Sequence, residues 1–222
     1  MRNVLVIAPH ADDESLGCGG TLLRHLKEGD SIHWLLITGM TKDEGYDDEL
    51  ISTRQREIQH VASCYEFSSV HELKFPPAAL DSIPLGDLIS AISTVVSGVE
   101  PEIIYVPYRN DAHSDHQVVF DASISSSKSF RYPFVKKVLA YETISETEFG
   151  LKPEDGGFKP NIFVDITPYI EQKIRILDIF DSEMGAFPFP RSRPVIEALA
   201  TLRGAQSNCF AAEAFMLIKE II

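Results

Sequence analysis

Two short runs of the chain gather residue types that bind metals and move protons. Pro9-His10-Ala11-Asp12-Asp13-Glu14 sets one imidazole against three consecutive acids, and Tyr108-Arg109-Asn110-Asp111-Ala112-His113-Ser114-Asp115-His116 brackets a carboxylate between two more imidazoles. Three adjacent carboxylates repel one another, so a cation, a shared proton or outward rotation must relieve the charge. A divalent metal is the simplest relief. Two imidazoles, one carboxylate and a position open for water suffice for a catalytic zinc site, and a carboxylate left over can serve as general base. Each run alone has a plainer explanation. Acids are favoured at a helix N-terminus, and two histidines three apart are common in a solvated turn.

The elements that would carry these runs give them a shared place. Val4-Leu5-Val6-Ile7-Ala8 reads as a buried parallel strand emptying into the first run. Residues 14–28 read as a helix with Leu16, Leu22, Leu23 and Leu26 on its apolar stripe, and residues 31–38 as a second strand, which makes a βαβ unit. Residues 39–48 form a polar, acid-rich loop, 49–65 a helix, 70–75 a strand and 84–99 a helix that Pro84 opens. A fourth strand, 102–107, empties into the second run, and a helix from about 115 to 125 follows. Further on, 135–142 and 161–166 read as strands and 168–184 and 194–203 as helices; 141–157 is polar with the acids Glu142, Glu146, Glu148, Glu154 and Asp155, and 212–222 is of undetermined type. The expected fold is α/β: a Rossmann-like three-layer α/β/α sandwich with a mostly parallel sheet and a mixed C-terminal extension. It is read as one domain over 1–222, with 1–125 as the parallel core and 126–222 completing it and supplying substrate-side loops. Sites in such sheets lie beyond the carboxyl ends of strands where the crossovers switch faces. If the first and fourth strands flank that point, His10, Asp12 and Asp13 face His113, Asp115 and His116 across one crevice.

Other chemistries fit less well. Gly17, Gly19 and Gly20 follow a strand and start a helix, yet the dinucleotide pattern is broken, Thr38-Gly39 stands where an acid for the ribose is expected, and the acids would repel a pyrophosphate. These glycines read as close helix packing. Ser15 is not in a Gly-x-Ser-x-Gly elbow, and Cys18 has no base nearby. Cys18, Cys64 and Cys209 form neither a disulfide framework nor a zinc-knuckle spacing and read as buried thiols. His25, His33, His60 and His71 read as surface or satisfied core residues. The net charge of −13 argues against nucleic acid as the main partner. No apolar run reaches membrane-spanning length and the start does not resemble a signal peptide, so the chain is read as cytoplasmic.

Taken together, the residues resemble the PIG-L-like (LmbE-like) zinc-dependent N-deacetylases of sugars. The likeness rests on Pro9 to Glu14 followed by Gly17 and Gly19-Gly20, on His113-Ser114-Asp115-His116, and more weakly on Arg54-Gln55-Arg56-Glu57 and Asp81. The resemblance implies His10, Asp13 and His116 as ligands of zinc or another divalent metal, and Asp12 as general base on the attacking water. It implies His113, held by Asp115, as the group that stabilises the oxyanion or protonates the leaving amine. Tyr141-Glu142-Thr143, the segment from Phe187 to Ser192 and Arg203-Gly204 look like a bacterial subgroup associated with surface-polysaccharide sugars. Where the family often has proline after the first histidine of each motif, this chain has Ala11 and Ser114.

The implied reaction removes the N-acetyl group of a sugar or sugar conjugate, such as an N-acetylglucosamine derivative, free or nucleotide- or lipid-linked, and releases acetate. Arg54, Arg191, Arg193 and Arg203 are candidates for holding a substrate phosphate or carboxylate, and Asp81 for accepting sugar hydroxyls; ordinary surface charge is the alternative for each. Roles for Glu142 and Glu146 stay open, and Glu14 reads as a favourable charge at the helix start. Family members are often oligomeric, and a homo-oligomer is compatible with the chain. Rival readings are a metal-dependent hydrolase of another small amide or ester, a non-catalytic metal or sugar-binding module, and a nucleotide-binding oxidoreductase.

Overall fold

A computed structural model describes residues 1–42, 45–152, 154 and 156–222. Asp43 and Glu44 of the expected acid-rich loop, and Asp155 of the polar stretch 141–157, therefore lie outside the described residues.

Alternation along the strands builds two cores. In β1 (Asn3–Ala8) and β2 (Ser31–Thr38), Val4, Val6, Ala8, Ile32, Trp34 and Leu36 pack into one cluster, while Leu5, Ile7, Leu35 and Ile37 pack into another. This is the period-2 pattern of strands covered on both faces. The first cluster is closed by α1 (Asp13–Glu28) and α2 (Asp48–Tyr65) through Leu22, Ile58 and Val61. The second is closed by α3 (Leu85–Val99) and α4 (Ser114–Ser125) through Leu88, Ile92, Val96 and Val119.

Together with β3 (Ser69–Phe75), β4 (Ile103–Pro107), β5 (Lys137–Tyr141), β6 (Ile162–Asp165) and β7 (Ala212–Glu220), the described residues form a sheet in the order β3-β2-β1-β4-β5-β7-β6. Pairing is parallel from β3 through β5, while β7 runs antiparallel between β5 and β6. The crossovers through α1 and α2 lie on one face and those through α3 and α4 on the other, so the switch point falls between β1 and β4, as expected. Most of the undetermined segment 212–222 is thus the strand β7, Ala212–Glu220, inserted into the sheet. The helix expected over 168–184 is shorter, α5 (Ile170–Leu177), and that expected from Pro194 is longer, α6 (Arg193–Ser207). Among the described residues, no helix is long and apolar enough to cross a membrane.

The glycines after β1 behave as close-packing positions. A Cβ at Gly17 would collide with the Tyr141 ring, and one at Gly20 would come within 2.6 Å of Ile166 Cβ. Between them, the Lys173 ammonium bonds Leu16 O (2.7 Å) and Glu213 Oε1 (2.7 Å), while Glu213 accepts from the Gly20 and Thr21 amides (2.8 and 2.7 Å). A buried ion pair contributed by α5 and β7 therefore braces the helix that opens with the first motif. Cys18 is buried, but Cys64 and Cys209 are only half-buried.

Candidate active site

Backbone geometry at the two strand ends brings the motifs together. Pro9 O accepts both the amide (3.1 Å) and the hydroxyl (2.8 Å) of Thr38, which ties the exit of β1 to the end of β2. Asp12 then adopts φ 147° and ψ −28°, a region strained for a residue with a side chain, and α1 begins at Asp13. Consecutive side chains of a regular strand or helix diverge; the reversal at Asp12 lets Asp12 and Asp13 both line one cavity. Ala11 O is held by Arg54 Nη1 (3.0 Å) from α2. Opposite, the loop after β4 is anchored by the Ala112 amide to Glu146 O (3.0 Å), His113 caps α4, and Asp115 and His116 lie in its first turn.

Three ligand-type atoms converge across the switch point. Asp13 Oδ2 lies 3.3 Å from His10 Nδ1 and 3.3 Å from His116 Nε2. A tetrahedral ion bound at about 2.0–2.1 Å separates its N and O ligands by about 3.3–3.4 Å. Both imidazoles are oriented from behind by a carboxylate. His116 Nδ1 bonds Asp111 Oδ2 (2.7 Å), and His10 Nε2 bonds Asp115 Oδ2 (3.0 Å). With its proton on the nitrogen facing a carboxylate, each neutral ring turns a lone pair toward Asp13. His116 Nε2 is buried without a hydrogen-bond partner, and such an atom calls for an explanation. The donor set and the orphaned nitrogen fit a divalent metal.

The electrostatics agree with a site that collects positive charge. Burial opposes charging His10, but bonds to Asp115 and Asp13 raise it to about 9. His116 is likewise raised against burial, chiefly by Asp13 and Asp111, while the two imidazoles hold Asp13 far below the usual carboxylate range, also against burial. The neighbouring acids go the other way. Burial, with the Asp13 charge beside it, pushes Asp12 up to about 7 against the opposing Arg191, whose Nη1 donates to Asp12 Oδ2 (2.9 Å). Burial pushes Glu14 to about 8; it is fully buried, accepting from Ser15 Oγ (2.6 Å) and the Asp12 amide (3.2 Å). Glu14 thus lies in the first turn of α1, where the sequence places it, but as a buried carboxyl group whose charged form burial disfavours.

His113 differs from its expected form. The Asp115 carboxylate is 4.0 Å from His113 Nδ1 and is spent on His10 and the amides of Ala78 (2.8 Å) and Leu80 (3.1 Å); only the Asp115 amide reaches that nitrogen (3.2 Å). Burial, then the neighbouring His10, lowers the His113 pKa. A neutral ring whose Nδ1 accepts carries its proton on Nε2. His113 is therefore positioned as a neutral donor.

Of the expected substrate contacts, Arg54 and Arg191 line the cavity, whereas Asp81 is exposed on the short 3₁₀ turn Leu80–Ser82 and does not. The fully buried Leu80 anchors that turn. Arg54 also bonds Ser182 and Glu183, and Arg191 lies 3.2 Å from Glu183. Arg193 pairs with Glu171 and Glu197 on the surface, and Arg203 grips Glu142 with two bonds (2.8 and 2.6 Å). Glu146 lines the cavity, where burial raises its pKa. Sequence reasoning missed the role of Asp111, although it sits in the polar run, because a carboxylate that orients a ligand has no fixed spacing from it.

Among the described residues, two other groupings could hold a cation but are already satisfied. In the group His10, His113 and Asp115 the carboxylate oxygens are spent as described; in the group His25, Glu28 and Asp30, Arg2 bridges the two acids (2.9 and 2.5 Å) and His25 Nδ1 bonds Asp30 (2.9 Å). The main cavity, about 300 Å³, opens on His10, Asp12, Asp13, His113 and His116 and matches the lower range of small-molecule sites.

The fold and site thus define an α/β protein with a metal-suited centre at its switch point. Residues 5–126, more than half the chain, match the family described as PIG-L, GlcNAc-PI de-N-acetylase, and the chain belongs to this family. It is 27% identical over 237 residues to the diacetylchitobiose deacetylase of Thermococcus kodakarensis, covering 100% of this chain and 85% of the relative. Among solved structures, the conserved protein TT1542 from Thermus thermophilus superposes with TM-score 0.81 at 23% identity, covering 100% of this chain and 97% of that one. A 4-carboxy-2-hydroxymuconate hydratase from Pseudomonas putida superposes at 0.75 with 18% identity, covering 100% and 98%. These two likenesses establish the fold alone, and the second shows the fold serving a different reaction.

Proposed function

We propose that this protein is a metal-dependent deacetylase that hydrolyses the N-acetyl amide of an amino sugar or its conjugate, giving acetate and a free amine. The observation that carries the reading is the convergence of His10 Nδ1, Asp13 Oδ2 and the orphaned His116 Nε2 beside a second buried carboxyl, Asp12, in one cavity. Family membership and the diacetylchitobiose deacetylase relative support the choice of reaction and of a sugar substrate.

His10, Asp13 and His116 would hold a divalent ion such as zinc. Bound there, the ion supplies Lewis acidity toward the amide carbonyl and acidifies water. Asp12 takes the proton of the attacking water: burial places its pKa near 7, suited to a general base, and Arg191 fixes Oδ2, leaving Oδ1 to accept. His113 donates a hydrogen bond from its Nε2–H to the carbonyl oxygen as that oxygen gains charge, keeping its proton, a contribution of about 3 kcal/mol for such a donor. The proton held by Asp12 then passes to the departing nitrogen.

The test pairs metal content with acetate release from N-acetylglucosamine and its conjugates, before and after chelation. Asp12→Asn is expected to keep its metal and lose about 10²- to 10⁴-fold in turnover. Acetate release untouched by chelation, or near-native turnover by the variant, would sink the reading.

A further inference from the structure

Resting on that reading, the structure also points to what the substrate carries. The cavity is acid-rich, lined by Asp12, Asp13, Glu72, Glu146 and Glu183. Of the lysines and arginines lining it, Arg54 and Arg191 are bound to protein carboxylates, and the other two arginines considered for an anionic substrate group, Arg193 and Arg203, are paired with glutamates as well. Lys74 is different. Among the described residues it makes no hydrogen bond or ion pair, and its side chain is exposed to the cavity.

Its placement follows from a bulge. β2 advances from Leu36 to Thr38 while β3 advances from Glu72 to Phe75, so β3 carries one extra residue there, and Lys74 adopts φ 59°. Leu73 and Phe75 pack into the core, leaving Glu72 and Lys74 to the cavity. Gly39 makes room for the lysine: a Cβ there would stand 3.2 Å from both Cα and Cγ of Lys74. Glu72, the acid closest along the strand, is engaged by Gln55 Nε2 (3.0 Å) from α2. The ammonium is thereby left without a protein anion. β3 lies two strands from β1, about 10 Å from the metal-suited strand end, within reach of one sugar ring and its substituents.

We propose that Lys74 is a specificity-determining residue that receives a carboxylate or phosphate borne by the N-acetylated sugar. The test measures binding of products, which do not turn over: glucosamine, its 1-phosphate and 6-phosphate, and muramic acid, titrated into the purified protein. At least one anionic product is expected to bind about three- to thirtyfold more tightly than glucosamine, as one charge-assisted contact allows. The phosphates and the carboxylate of muramic acid separate the two sources. Lys74→Gln should abolish the preference, Lys74→Arg should keep it, and rising salt should erode it. On N-acetylated substrates, Lys74→Gln should raise KM for the anionic ones with kcat unchanged. Equal binding of neutral and anionic products by the native protein, or a preference that survives in Lys74→Gln, overturns the proposal. If the preference holds but no acetate is released, the subsite stands and the deacetylase reading fails.

Discussion

Replacing Asp111 with asparagine tests the architecture of the metal-suited centre through a residue that touches no substrate. Asp111 is 2% exposed; its Oδ2 takes the His116 Nδ1 proton at 2.7 Å and its Oδ1 takes the Thr147 hydroxyl proton at 2.6 Å. A hydrogen bond to an ionised acceptor is about twice as strong as a neutral one. With about 1.5–3 kcal/mol for the charged bond, the amide therefore forfeits on the order of 0.75–1.5 kcal/mol of orienting energy, or about three- to tenfold in metal affinity. That is a lower bound. Thr147 keeps its bond by facing the amide oxygen, and the amide nitrogen then faces His116 Nδ1. The imidazole proton moves to Nε2, where it blocks the lone pair that faces Asp13. Removal of an outer partner of this kind typically costs ten- to hundredfold. The assay is competition for zinc against a chromophoric chelator of known affinity, with thermal unfolding of the metal-free variant beside it. Asp111→Asn should lose at least about tenfold in affinity while the metal-free protein keeps most of its stability. An unchanged affinity together with a lowered melting temperature would refute the assignment and make Asp111 a purely structural residue.

Two further perturbations probe the frame around the site. Lys173→Met leaves Glu213 buried without its ion-pair partner, so the variant should lose about 3–5 kcal/mol, read as a lower denaturant midpoint; a loss below about 1 kcal/mol would remove the pair as the brace of α1. For acid stability, burial opposes ionisation of Asp30, but bonds from Arg2 and His25 outweigh it and lower its pKa, while burial lowers that of His25. Both groups bind fewer protons folded than unfolded, so their contribution is complete near neutrality. It declines as pH falls past the ordinary imidazole value of about 6.5 and then past the carboxylate value of about 3.9. Asp30→Asn should flatten the carboxylate part of that decline in urea midpoints; a variant that loses stability in parallel with the native protein would contradict the linkage.

Much of the site was legible because its residues announce themselves by type. His10, Asp12, Asp13, His113 and His116 sit at strand ends whose apolar runs mark them, and the structure brings all five to one cavity. Asp81 shows the limit: a one-residue step beyond the buried Leu80 turns it to solvent, and no periodicity registers that step. The closing strand β7 was equally hidden, since residues 212–220 pair with β5 and β6 far back in the chain, and an apolar run by itself does not say what it pairs with.

The sequence alone determined the α/β class, the face-alternating strands and the two motifs, because these depend on local periodicity and on residue chemistry. Only the tertiary structure decided which atoms of those residues face one another. It gave Asp115 to His10 and not to His113, made His113 a neutral donor, recruited Asp111 behind His116, and left Lys74 without an anion among the described residues. Each of these depends on hydrogen bonds and burial across strands distant in the chain. At such positions proton location and charge are set by three-dimensional neighbours, which the order of residues does not contain.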